Sequence, residues 1–387
     1  MNFNLDSGQQ LLQDSVRRFV ERSYSFDSRT TQLKSGSGGN EHWRTFASNG
    51  WLAAALPEDH DGLGGTLLDT ALICHELGRG LVVEPYLGCA VLAAQTLVAA
   101  ARPAQLARLV PHLADGSRSF ALAYSEAQSR GFPEPVALRA EASVDGYALH
   151  GTKTLVLGGT VADTFIVSAT LVPQPVGQSS TTLFLVDAGT PGLTVHPLRL
   201  HDGSAAAELV FDGVQVGPAA VLGEPGQGAA ALRHGLEHAI TALCAELVGV
   251  MERAIELTAE YLKIRKQFGV PIGSFQALQH RMADMAADLE LSRSMLYALL
   301  ASLANDDEAA RGHTLSQAKA LIGRAAKEVC GQAIQLHGGI GMTEEYAVGH
   351  YLKRAVVADV LFGNSDRHEA ACAATLQASL TPGEDLP

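Results

Sequence analysis

Glu246 is the residue whose position asks for a chemical explanation. Apolar side chains recur at Leu236, Ile240, Leu243, Leu247, Val250, Ala254, Leu257, Tyr261 and Ile264. The steps alternate four and three without a break, which places them on one stripe of a single long helix. Glu252, Glu256 and Glu260, with Lys263 beside them, fall toward the opposite face, as a solvated side requires. Glu246 does not join them. It lies three residues after Leu243 and four before Val250, at the edge of the stripe. A lone carboxylate is expensive to bury. Glu246 is therefore paired, protonated or used: a structural ion pair or a rim position on one reading, a general base on the other.

Two further stretches could hold a ligand. The first follows the stripe: Arg265-Lys266-Gln267-Phe268-Gly269-Val270-Pro271-Ile272-Gly273-Ser274-Phe275-Gln276. The second is Gln335-Leu336-His337-Gly338-Gly339-Ile340-Gly341-Met342-Thr343-Glu344-Glu345-Tyr346. Glycines at 338, 339 and 341 end a helix and let backbone N–H groups approach a ligand closely; they also suit a plain interhelical turn. His60 and Asp61 read as turn residues. The five cysteines, Cys74, Cys89, Cys244, Cys330 and Cys372, show no CxxC spacing and read as small buried apolar groups in a reducing compartment. No GxGxxG follows a strand, so a Rossmann dinucleotide site is not supported, and the Gly158-Gly159 pair does not make one.

The chain that must position these groups has 387 residues, 47% hydrophobic and 18% charged, as expected of a protein with large buried surfaces. A net charge of −13 argues against a nucleic-acid or anionic-membrane partner. No apolar run reaches a membrane span, and the N-terminus Met-Asn-Phe-Asn-Leu-Asp lacks the marks of a signal peptide, so a cytoplasmic protein is expected.

Residues 1–117 read as helical, with Ser7 able to cap the first helix. A Gly/Ser-rich loop is expected at 35–39 and helices near 43–46, 68–78, 85–100 and 103–113. From 118 to 223 the pattern changes to period two. Candidate strands are 120–124, 137–144, 147–150, 155–157, 165–170, 182–186, 193–197 and 208–211, with Asp145-Gly146 as a hairpin signal and a loop at 173–180. This spacing argues a small β-barrel or sandwich. Residues 224–387 are helical again, with helices over 229–264, 274–305, 315–336, 346–361 and 367–376, lengths that suit an antiparallel four-helix bundle. The expected class is α+β, mainly α.

Helical third, β third, helical third is the order of the acyl-CoA dehydrogenase family, and the motifs make the resemblance specific. Arg265-Lys266-x-Phe268-Gly269-x-Pro271-Ile272-x-x-Phe275-Gln276-x-x-Gln279-His280 resembles one family signature, and Gln335-x-His337-Gly338-Gly339-x-Gly341 followed by Glu345-Tyr346 resembles another. Gly50-Trp51-Leu52, Pro57-Glu58 and Glu76-Leu77-Gly78-Arg79 are similar to its N-terminal domain. The resemblance covers nearly the whole chain. It implies FAD, an acyl-CoA substrate, an electron-transfer flavoprotein or similar acceptor, and a homotetramer or a heterotetramer with an unlike homologous subunit.

Residue by residue, it implies that Arg265 and Phe268 meet the FAD of a neighbouring subunit, Arg265 at the pyrophosphate. Gln335, Gly338 and Gly339 would contact the adenosine and diphosphate end. Ser365 and Arg367 would lie where the adenine is held. The family's flavin loop reads here Leu122-Ala123-Tyr124-Ser125-Glu126-Ala127, so Tyr124 and Ser125 would reach the flavin and Ser129 the flavin or CoA. The family's Trp-Ile-Thr at the flavin edge is Leu155-Val156-Leu157, which removes a hydroxyl there.

The reaction implied needs a carboxylate to take the α-proton of the thioester, donors for the enolate-like oxygen, and a flavin to take the β-hydride. The family's usual base position is Gly363 here, and the alternative one on the long helix is Ala239. Glu246 lies seven residues beyond Ala239, about 10 Å along the axis at ~1.5 Å per residue. Glu237, His238 and Asp366 point elsewhere. The choice is between Glu246 as base and a chain that binds FAD without abstracting the proton itself.

Overall fold

Asp6 starts the first helix, not Ser7. Its Oδ1 accepts from the Gln9 amide at 2.8 Å while the Gln9 side chain returns to the Asp6 N–H at 3.1 Å. This reciprocal cap satisfies two amides that helix geometry leaves orphaned. The computed structural model describes residues 4–35, 42–173, 181–303 and 307–380. The expected loops at 35–39 and 173–180 lie, apart from Ser35 and Pro173, outside these residues.

The N-terminal region holds α1 (Ser7–Ser23), α2 (Phe26–Ser35), α3 (Trp43–Ser48), α4 (Leu67–Arg79), α5 (Ala94–Ala100) and α6 (Pro103–Ala114). Ahead of α5 the helix expected from Pro85 begins as eight residues of π-helix, Tyr86–Ala93. Gly88 there lets the helix lie against Leu157, whose Cβ is 2.6 Å from where a glycine Cβ would stand.

The strands are β1 (Phe120–Ala123), β2 (Arg139–Ser143), β3 (Gly146–Leu157), β4 (Thr164–Val172), β5 (Thr181–Asp187), β6 (Leu193–Arg199), β7 (Ala205–Val216) and β8 (Val221–Leu222). Two expected strands, 147–150 and 155–157, are one: β3 runs through both. It slips register against β7 between Lys153 and Val156, and Leu155 takes φ +50° there. The ladder follows β6-β7-β3-β2-β4-β5-β8, with β1 also on β4. β6 and β8 end the path, so the sheet wraps one core and leaves a seam open. That core includes Leu149, Phe165, Val167, Phe184, Leu209 and Val214.

The C-terminal helices are α7 (Gly228–Ile264), α8 (Gln276–Ser302), α9 (Glu308–His337), α10 (Val348–Val360) and α11 (Ser365–Leu380). α9 starts seven residues earlier than the expected 315 because Asp307 caps it, accepting from the Ala309 and Ala310 amides at 2.9 and 3.1 Å. α8, α10 and α11 all pack on α9. Contacts divide the chain into two units, Met1–Ala242 and Leu243–Pro387, and α7 runs across the division. Its stripe is buried from Leu236 to Ala254, but Ile264 is exposed, and from Ala239 to Met251 every side of the helix is buried. Beyond this stretch, partly exposed positions resume at Glu252. Small residues at 239, 242 and 245 let neighbours close in around the helix. Among the described residues no helix is long and apolar enough to cross a membrane.

Candidate active site

In the second unit, Glu246 meets Arg354. Glu246 Oε1 accepts from Arg354 Nε at 2.6 Å and Oε2 from the terminal guanidinium nitrogen at 3.0 Å. The Glu246 residue is 8% exposed. The pair is bidentate and shielded, the strongest geometry open to a carboxylate and an arginine. It satisfies the charge that the stripe-edge position raised. Nothing in the sequence marks Arg354 as its partner, because the two residues are 108 apart.

The turn at the usual base position is held from several sides. Phe362 and Gly363 take φ +62° and +91° in succession, and Gly363 is buried. Lys319, fully buried, donates to the Ala358 and Asp359 carbonyls at 3.1 and 3.0 Å, closing the C-terminal end of α10. His368 Nε2 donates to the Phe362 carbonyl at 3.0 Å. Burial pulls the His368 imidazole down to about 4. Asp359 binds Lys327 at 2.7 Å and accepts from the Ser365 hydroxyl. Burial pushes Asp359 up, but the Lys327 and Ser365 hydrogen bonds and the Lys319 and Lys327 charges hold it below the usual range. Ser365 is thus tied inward, while Arg367 is exposed. The turn is rigidly built but carries no carboxylate at 363.

Arg265, Phe268, Gln335, Gly338 and Gly339 are all exposed. Phe268, at φ +52°, is 91% exposed, and its ring meets that of Phe275 edge-on at 6.1 Å. It sits in a two-residue hairpin, Lys266–Gln267 against Val270–Pro271. Gly338, at φ +64°, ends α9, and nothing lies within 4 Å of where a side chain on Gly338 or Gly339 would project. Beside them the His337 ring stacks on Tyr261 at 4.5 Å, and its buried Nε2 has no hydrogen-bond partner among the described residues.

In the first unit, Ala239 is fully buried on α7. Tyr124, Ser125 and Ser129 sit together where the chain leaves β1. The Tyr124 phenol donates to the Gly131 carbonyl at 3.0 Å, and burial holds it far above its usual range. The Ser129 hydroxyl donates to the Glu126 carbonyl at 3.1 Å. Both of these hydroxyls are spent within the protein, so what this loop can offer a ligand is its backbone and the Ser125 hydroxyl, which bonds nothing among the described residues. Leu155 and Leu157 are half-buried at the β3 bulge. Bulges re-aim backbone next to active sites.

Family models fit the chain in three consecutive pieces. The acyl-CoA dehydrogenase N-terminal domain matches residues 6–117, the middle domain 121–214 and the C-terminal domain 226–377. The mitochondrial 2-methylacyl-CoA dehydrogenase of Solanum tuberosum is 30% identical over 372 residues, 94% of this chain and 89% of that protein. Among solved structures, the ChsE4–ChsE5 complex from Mycobacterium tuberculosis matches with TM-score 0.87 and 28% identity, covering 99% of this chain and 100% of the matched one. An FAD-dependent dehydrogenase matches with TM-score 0.84 and 26% identity, covering 97% and 99%. The chain belongs to the acyl-CoA dehydrogenase family of oxidoreductases. The cofactor of that family is FAD.

The residues present fit it. Arg265 makes no ion pair or hydrogen bond through its side chain among the described residues, so its guanidinium is available to an anion. The open space over Gly338 and Gly339 is what a diphosphate against the main chain needs.

Proposed function

We propose that this chain is the FAD-holding subunit of a heteromeric acyl-CoA dehydrogenase. It seats an acyl-CoA thioester for α,β-desaturation, and an unlike homologous subunit brings the carboxylate that takes the α-proton. When bound, FAD accepts the β-hydrogen with its electron pair.

The observation that carries this reading is the Glu246–Arg354 pair. A general base needs a lone pair aimed at the substrate. Glu246 turns both oxygens to a guanidinium, and the family's two base positions are Ala239 and Gly363.

On this reading Arg265 donates charge-assisted hydrogen bonds to the pyrophosphate and Phe268 covers the FAD of a neighbouring subunit. Gln335, Gly338 and Gly339 take the adenosine and diphosphate end, and Ser365 and Arg367 flank the adenine. The Tyr124–Ser125 backbone and Leu155 and Leu157 border the flavin, with Ser129 toward the CoA. The assembly is a heterotetramer, and electrons pass to an electron-transfer flavoprotein or a similar acceptor. Two likenesses support an unlike partner. Ala242-Leu243-Cys244-Ala245-Glu246-x-Val248-Gly249 and His350-Tyr351-x-Lys353-Arg354 resemble the small subunit of pimeloyl-CoA dehydrogenase. A structural relative was solved as the ChsE4–ChsE5 complex.

The test is co-expression with an unlike homologue that retains a glutamate at the position of Gly363. The pair is expected to bleach flavin with acyl-CoA where the isolated chain does not.

A second reading makes Glu246 the base. Its burial on α7 favours this, because a base for thioester deprotonation must sit away from water. Arg354 would then have to leave it when substrate binds. Flavin bleaching by the isolated chain, abolished in Glu246→Gln, would establish that reading.

A further inference from the structure

β1 and β2 lie end to end along one edge of β4. Phe120–Ala123 pairs in parallel with Thr164–Val167, and Arg139–Glu141 with Thr170–Val172, while β5 covers the other edge. Between them the chain leaves the sheet at Tyr124 and returns at Leu138. Tyr124, Ser125 and Ser129 all lie on this excursion.

Glu126 closes its neck. One carboxylate oxygen accepts from the Ala137 amide at 2.7 Å and from Gln128 at 2.6 Å; the other accepts from the Leu138 amide at 2.9 Å. Lys153 arrives from β3. Its ammonium donates to Glu126 Oε1 at 2.6 Å, to Ser168 Oγ at 3.0 Å and to the Tyr124 carbonyl at 3.2 Å, so all its protons are used. The next residue, Thr154, donates its amide to the Ser125 carbonyl at 2.9 Å. The residue after that is Leu155, at the bulge.

Lys153 is fully buried and Glu126 is 3% exposed. Such a pair adds little net stability over well-packed apolar side chains, because desolvation offsets the attraction. Its geometry accounts for it better: one side chain ties the excursion to the bulge.

We propose that Lys153, acting through Glu126 and the Tyr124 carbonyl, is the positioning residue that sets the flavin-facing backbone of Tyr124–Ser125 against the Leu155 bulge. The proposal rests on the reading of those segments as bordering the flavin. Burial lowers the Lys153 ammonium to about 8, with Glu126 opposing that shift. The titratable group it bonds is Glu126 on the excursion; from Tyr124 it takes the backbone carbonyl, the phenol being turned to the Gly131 carbonyl. The clamp therefore weakens as the pH rises through about 8.

The test compares the wild type, Lys153→Met and Glu126→Gln in three measurements. FAD affinity is measured by titrating the apo-protein. The visible circular dichroism of bound flavin is followed across that pH, and tryptic cleavage of the apo-chain after exposed Arg130 is timed. The wild type is expected to show one inflection in flavin dichroism near pH 8 and faster cleavage above it. Lys153→Met is expected to bind FAD at least about tenfold more weakly, to lack the inflection and to be cleaved fast at every pH. Should Lys153→Met not fold, Glu126→Gln and the wild-type pH profile carry the comparison. Unchanged FAD affinity and an unchanged inflection in a folded Lys153→Met would overturn the proposal alone. A wild-type chain that takes up no FAD would overturn the reading beneath it.

Discussion

Glu246 and Arg354 hold each other through two hydrogen bonds, Oε1 to Nε at 2.6 Å and Oε2 to the terminal nitrogen at 3.0 Å. The contact joins α7 to α10 in a buried setting. Breaking one side of such a pair leaves an uncompensated charge, which costs about 3–5 kcal/mol. Arg354→Met is therefore expected to lower the denaturant midpoint sharply. The double variant Glu246→Leu/Arg354→Met should recover most of that loss. Additive losses in the double-mutant cycle would show that the pair is not coupled.

Arg265 is exposed and its side chain bonds nothing among the described residues, so removing it should leave the fold intact. A charge-assisted hydrogen bond to the pyrophosphate is worth about 1.5–3 kcal/mol. Arg265→Ala should accordingly release FAD roughly ten- to a hundredfold more readily on gel filtration, at unchanged thermal midpoint. Full retention would remove Arg265 from the cofactor site.

His368 and His238 are each pulled from 6.5 to about 4, mainly by burial. Both are neutral in the folded chain at neutral pH. Between about 6.5 and 4 the unfolded chain binds more protons than the folded one, so stability falls as the pH falls through that window. The full contribution is present above 6.5. Denaturant midpoints measured from pH 7 to 5 should decline, and His368→Asn should decline less steeply. A flat profile in the wild type would contradict the burial of these rings.

Much of this was legible in the sequence. The α7 stripe and the Asp145-Gly146 hairpin depend on neighbours in sequence, and local periodicity carries them. The β3 strand was not legible as one element. Gly151 at φ +141° and Leu155 at φ +50° interrupt the alternation that marks a strand, although hydrogen bonding to β7 continues past them. Asp307 was visible as a cap ahead of Glu308-Ala309-Ala310 but lost to the weaker apolar pattern that follows. In the site, Glu246 was marked as anomalous by its place on the stripe. Its partner could not be, since the pair is set by how α7 and α10 cross. Lys153 shows the same limit. Its only sequence mark is a lysine in a strand of otherwise apolar buried positions, while Ser168 comes from β4 and Glu126 and the Tyr124 carbonyl from the excursion between β1 and β2.

The central claim is that this chain holds FAD and completes the chemistry only with a carboxylate from an unlike subunit. Its most direct test is anaerobic mixing of the isolated FAD-loaded chain with a panel of acyl-CoA thioesters while the visible flavin absorbance is followed. No thioester is expected to bleach the flavin of the isolated chain. Rapid bleaching by one of them, abolished in Glu246→Gln, would contradict it and place the base on α7.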